Sequence, residues 1–138
     1  MQLWLIGGYP GGSGDSDYYK TTEFIDHSGT TPGPVFPEEI YRTCASYINA
    51  THAIVTTVRG SIHSYIVDLN DNFAITEGPT IDPFTYADSG CARFMHPNGT
   101  NFVILAGGES GYHADQTELI SDANFDTWLE GKIITYLW

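Results

Sequence analysis

The chain has 138 residues and a mass of 15.2 kDa, enough for one ordinary domain by length, and its 41% hydrophobic and 14% aromatic content is that of a packed protein. Five Lys plus Arg stand against seventeen Asp plus Glu, a net charge of −12, so a phosphate backbone or an anionic membrane surface would be repelled and nucleic-acid binding is excluded on charge. No apolar run approaches the roughly 20 residues of a spanning helix, and MQLWLIGG carries neither the basic start nor the small-residue cleavage site of a signal peptide.

Fifteen Gly, seven Pro and nine Tyr, with abundant Thr, Val and Ile, suit short strands joined by tight turns. No stretch of helical length shows 3.6-residue periodicity, so the expected class is all-β. In chain order, LWLIGG (3–8) predicts a strand closed by Gly7 and Gly8. The loop GGYPGGSGDSD (7–17) follows; it lacks the spacing of a phosphate cradle, and Asp15 and Asp17 would oppose an anion. TTEFID (21–26) and PGPVFP (32–37) predict two further strands.

The pattern then repeats. TCASYINATHAIVTTVRG (43–60), HSYIVD (63–68) and EGPTID (77–82) are followed by GCARFMHPNGTNFVILAGG (90–108), QTELIS (116–121), Trp128 and EGKIIT (130–135). Gly33, Gly78 and Gly131 align at intervals of 45 and 53 residues, and Cys44 and Cys91 lie 47 apart. One structural unit therefore recurs about every 50 residues.

A hydrophobic strand ending in Gly-Gly, as in FVILAGG (102–108), followed by a strand, a Trp and a short final strand, resembles the kelch repeat. The phrasing TTEFID, PGPVFP and CASYINATHAIV is also similar to secreted or ectodomain kelch proteins of animals. Val58 and Arg59 replace the Gly-Gly pair in the second copy, and the motif's Trp is absent from the first two copies. The resemblance implies a section of a kelch-type β-propeller in about three four-stranded antiparallel blades. Residues 1–42 form a first blade lacking its innermost strand, 43–89 a second and 90–138 a third. A propeller closes with about 4 to 8 blades. The expectation is that the chain is part of a larger six- or seven-bladed ring, with association of three-blade units into a closed propeller as the alternative.

Gly7, Gly8, Gly107, Gly108, Gly33, Gly78 and Gly131, together with Trp128, are read as structural residues of the repeat. Two Asn-x-Thr sequons, at Asn49 and Asn98, fall in the same predicted hairpin of successive units. They are candidate glycosylation sites, and their residues equally suit turn geometry. Cys44 and Cys91 occupy equivalent places in adjacent inner strands, Ala45–Ile48 and Ala92–Met95. The favoured reading leaves them unpaired or paired outside the chain; a bond between them requires the inner strands to converge near the propeller axis.

Catalytic signatures are thin. His27, His52, His63, His96 and His113 are dispersed; His52 and His63 flank one hairpin with no third ligand at useful spacing. DLNDN (68–72) reads as a turn, not a calcium loop, and Ser110 fails the nucleophile-elbow pattern because Tyr112 stands at its last position. No metal, cofactor or catalytic set is assigned. Trp4, Phe24, Tyr65 and Phe102 are expected in the core, whereas Tyr9, Tyr18, Tyr19, Arg59, His63 and Tyr112 all follow the Gly-Gly position and are the expected partner-binding surface. The functional expectation is a non-enzymatic, extracellular protein-interaction or structural scaffold module. It would join a protein partner or the remaining blades of its propeller, and homo-oligomerisation is also allowed. A galactose-oxidase-like or glycan-processing propeller enzyme is the competing class.

Overall fold

Runs of β-branched and aromatic residues bounded by Gly, Pro, Asn and Asp become strands throughout the structure, a computed structural model that describes residues 2–7, 20–40, 43–59, 61–81, 90–106 and 117–130. A first sheet contains β1 (Leu3–Ile6), β2 (Thr22–Asp26) and β3 (Gly29–Pro32). A second contains β4 (Cys44–Tyr47), β5 (His52–Arg59), β6 (Ser61–Asp68) and β7 (Ala74–Glu77). The third contains β8 (Gly90–Met95), β9 (Asn101–Ala106), β10 (Thr117–Ser121) and β11 (Asn124–Glu130). Every pairing is antiparallel, each strand pairs with its neighbours in sequence, and no α-helix occurs among the described residues. The protein is all-β, with its sheets stacked in a blade-like arrangement. By register β1 corresponds to β5 and β9, and the first sheet has no described strand in the place of β4 or β8.

Two of the outermost strands lie earlier than the sequence suggests. They were expected at 32–37 and 77–82, whereas β3 and β7 end at Pro32 and Glu77; of the third, expected at 130–135, only Glu130, the last residue of β11, is among the described residues. Gly33 and Gly78 close their strands instead of lying inside them. Gly33 and Gly78 each donate their backbone N–H to a carbonyl of the preceding strand, Thr22 and Ser64, both at 2.8 Å. The Thr22 and Ser64 hydroxyls donate in turn to the Pro34 and Pro79 carbonyls, at 2.8 and 2.5 Å. A Cβ on Gly78 would meet Ser64 Oγ at 2.7 Å, and one on Gly33 would strike Thr22 Oγ1. Close approach, and not backbone curvature, demands glycine at both places. Gly131, their counterpart, lies outside the described residues, as do Gly8, Gly107 and Gly108. Gly7 has a φ of +72° at the end of β1, a conformation L side chains rarely adopt.

The second sheet is buried on both sides, which explains its nearly continuous apolar strands. Ala53, Val55, Tyr65 and Val67 face the first sheet and pack with Phe36, Ile40, Trp4 and Ile6. Ile54 and Ile66 face the third sheet and pack with Ile48, Val103 and Ile120. Trp128 also reaches across this second interface, its Nε1–H donating to Ser64 Oγ at 3.3 Å. At the places corresponding to Trp128 the earlier sheets carry Thr30 and Ile75, and Ile75 packs into the first interface.

Cys44 and Cys91 form a disulfide, with Cα atoms 5.8 Å apart, which overturns the expectation that they are unpaired or externally paired. The two are not equivalent in the fold. Cys44 sits opposite Thr56, and Cys91 sits opposite Leu105. Thr56 lies on the face of the second sheet turned toward the third, and Leu105 on the face of the third turned toward the second. The repeat slips by one residue between β4 and β8, and because alternate strand residues point to opposite faces, the slip turns the thiols toward one another.

Candidate partner surface

The expected partner-binding residues are not gathered by the described structure. Tyr9, Tyr18, Tyr19 and Tyr112 lie outside the described residues. Arg59 ends β5 opposite Ser61, and His63 pairs with Thr57, so these two backbones sit together at one end of the long β5–β6 hairpin. His52 pairs with Asp68 at the other end of the same ladder, which separates it from His63. Among the described residues no group of three His, Cys, Asp or Glu side chains is placed to hold a metal ion. The DLNDN segment is a turn in which Asp68 Oδ1 accepts the backbone N–H groups of Asn70 and Asp71 at 2.9 and 3.3 Å.

Apolar surface collects at the two ends of the sheet stack. On the first sheet, β1 turns Trp4 and Ile6 inward and leaves Leu3 and Leu5 58% and 42% exposed. These outward residues share rungs with Ile25 and Glu23 on β2. On the third sheet, Ala92, Ile104, Leu119 and Leu129 form one rung on the face turned away from the second sheet. Phe94 and Phe102 lie beside that rung, their rings stacked 5.3 Å apart. Phe94 and Leu129 remain exposed on this face, and Met95, which alternates with Phe94, is exposed at the end of β8. Phe102, expected in the core, belongs to this outward face, whereas Tyr65 is buried as expected and Trp4 and Phe24 are partly buried.

A cleft of about 210 Å³ opens beside the edge of β1 that carries no described strand, lined by Leu3, Trp4, Ile6, Ala45, Tyr47 and Ala53. It lies where β4 continues past the first sheet, in the region an innermost strand of that sheet would cover. Tyr47 is exposed there, and Trp4 Nε1 is buried without a hydrogen-bond acceptor among the described residues. Nearby, Tyr65 donates its phenolic O–H to Glu38 Oε1 at 2.6 Å. Burial of the phenol, reinforced by that bond and by the charges of Glu38 and Glu77, raises its pKa well above the ordinary value.

The two sequon hairpins differ. At the β4–β5 turn, Asn49 is half-buried and its Oδ1 accepts from Thr51 N, Thr51 Oγ1 and His52 N at 2.9, 3.0 and 2.8 Å. At the β8–β9 turn, Asn98 is exposed and its Oδ1 accepts, among the described residues, only Thr100 N, at 3.0 Å. Asp122, just after β10, ties these regions together. Its carboxylate accepts from Asn101 N and Asn101 Nδ2 at 2.9 and 2.7 Å and from the Asn49 side chain. Partial burial pushes the Asp122 carboxyl up, but the bonds from Asn101 and Asn49 outweigh it and hold the group below the usual carboxylate range.

Sequence reasoning missed the cleft and the end faces, although a signal for them exists. LWLI is apolar at every position, as in a strand covered on both sides, yet only Trp4 and Ile6 have found cover. Asp122 carried no signal, because a lone turn aspartate has no motif. Compared with known proteins, the chain matches no protein-family model and no curated protein.

Proposed function

We propose that this chain is a non-enzymatic scaffold section of a kelch-like β-propeller, working outside the cell, whose end faces receive further antiparallel sheets of the same kind. The observation that carries the reading is β1. Its outward Leu3 and Leu5 are exposed, its outer edge carries no described strand, and the cleft beside it leaves Tyr47 exposed and the Trp4 indole N–H without an acceptor among the described residues. Both interfaces inside the chain bury this kind of surface by stacking one sheet on the next, and the same stacking would cover Leu3, Leu5 and, at the other end, Ile104 and Leu129. The occupant is therefore a blade-like sheet, from the same polypeptide or from another copy. The disulfide supports an oxidising compartment.

Native mass measurement on the protein from its source tests this. A covalent chain well above 15.2 kDa, or a multiple of that mass, is expected, and Leu5→Glu should weaken the association of separately expressed sections about tenfold while strand content by circular dichroism stays constant. A monomer of 15.2 kDa that joins no further sheet overturns the reading.

A further inference from the structure

We infer that Asn98 is the chain's N-glycan acceptor, whereas Asn49, in a matching sequon, has its carboxamide committed to holding two sheets together. The inference rests on the extracellular reading above, since a glycan is added only along the secretory route.

The two sequons occupy corresponding turns, yet what surrounds each amide nitrogen separates them. Asn98 sits at the tip of a turn closed by the Gly99 N–H on the His96 carbonyl at 2.8 Å, with Pro97 at the first corner and Gly99 at a φ of +93°. Its neighbours His96, Pro97 and Gly99 are exposed, and a Cβ built on Gly99 meets nothing within 4 Å. Asn98 Nδ2 makes no hydrogen bond among the described residues, and a bulky substituent there would extend into solvent.

Asn49 is held from every side. Three donors saturate Oδ1 and set the plane of the carboxamide, and the side chain also bonds the Asp122 carboxylate on the third sheet. Ile48 beside it is fully buried. The sequon's Thr51 hydroxyl contacts both Asn49 Oδ1 and His52 Nδ1, at 3.0 and 2.8 Å, and the His52 ring packs on Phe125 of the third sheet with centroids 5.2 Å apart. The Leu69 N–H closes on the Thr51 carbonyl at 2.8 Å.

Glycan transfer forms a bond from Nδ2 to the anomeric carbon of a lipid-diphosphate-linked oligosaccharide. The anomeric carbon–oxygen bond to the diphosphate breaks, the lipid diphosphate leaves, and Nδ2 loses one proton. At Asn98 the product alters no contact of the described fold. At Asn49 the sugar would stand on the nitrogen that bonds Asp122 and crowd that link between the second and third sheets. Even when transfer precedes folding, a chain modified at Asn49 could not close this junction, so folded, exported molecules should carry the glycan at Asn98 alone.

The test is secretion of the full chain from cultured eukaryotic cells, with enzymatic glycan removal in heavy-oxygen water and peptide mass spectrometry to read each asparagine. The expected result is isotope incorporation at Asn98 and none at Asn49. Thr100→Ala should abolish the glycan while leaving the melting temperature of enzymatically deglycosylated protein unchanged. Asn49→Gln should leave the glycan in place but lower the secreted yield severalfold, and Asp122→Ala should lower it to a similar extent. A glycan on Asn49 of the folded, secreted protein overturns the inference. So does a secreted, disulfide-bonded chain with both asparagines bare, an outcome that leaves the extracellular reading standing. A chain retained inside the cell with Cys44 and Cys91 reduced overturns both.

Discussion

The same repeat solves its two internal interfaces differently. Between the first and second sheets the contact is aromatic: Trp4 lies near Phe24, Phe36 and Phe73, with centroids 5.8, 6.4 and 5.7 Å away, and Phe36 meets Tyr65 edge-on at 5.4 Å. Between the second and third sheets the buried residues are Ile48, Ile54, Ile66, Val103 and Ile120, with Trp128 packed against them and the Cys44–Cys91 bond joining the inner strands. Where both sheets have an inner strand, the fully buried side chains are aliphatic, a covalent link joins the strands, and the rings of Trp128 and Phe125 pack only at partial burial. Where one sheet lacks that strand among the described residues, large rings fill the space, and Phe36 and Ile40 come from the segment after β3 instead of from a strand. An interface in a repeat protein thus depends on which neighbouring strands are present as much as on the repeat's own sequence.

Phe36→Ala should break the first interface most severely. Phe36 is fully buried at the centre of the ring cluster, and truncating such a side chain costs about 3–5 kcal/mol. Urea unfolding followed by Trp fluorescence should show that loss; a change below about 1 kcal/mol would mean that the first sheet does not depend on its rings. Replacing both cysteines by serine should weaken the second interface by about 2–4 kcal/mol, because the bond closes a separation of 47 residues in the unfolded chain. If the aliphatic contacts alone hold the third sheet, the loss vanishes.

The smallest effect is one of pH and belongs to the first interface alone. The folded-state pKa of Tyr65 is raised, so its contribution is complete below the unfolded value of about 10 and is lost as pH rises from there toward the folded value. The melting temperature of the protein should therefore fall above about pH 10. Tyr65→Phe should flatten that part of the curve and leave the contribution of the disulfide intact. A slope of unchanged steepness in the variant would place the alkaline sensitivity elsewhere.

Much of the fold was legible because it depends on local pattern. The recurrence of apolar strands and turn residues marks three units, and the doubly apolar runs Ala53–Val55 and Tyr65–Val67 mark a sheet covered on both faces. Gly33 and Gly78 were legible as structural residues, although their task was not: a steric fit to a hydroxyl eleven or fourteen residues earlier in the chain looks like any other glycine in sequence. The partner surface was read from loop tyrosines, whereas the described structure puts bare apolar area on Leu3, Leu5, Met95 and Leu129 of β-strands. Periodicity says that a strand has two apolar faces and says nothing about whether either is covered.

The sequence by itself determined an acidic, all-β chain built from repeated units, because alternation and turn chemistry act over a few residues. Only the tertiary structure decided how those units meet. The pairing of Cys44 with Cys91 depends on a one-residue slip between β4 and β8, and a slip of one turns a side chain to the opposite face. The unequal sequons follow from Asp122, seventy-three residues beyond Asn49, which bonds the sequon asparagine of one hairpin and, in the other, bonds Asn101 beyond the sequon. Interactions of that range depend on where sheets lie in space, which no local pattern records.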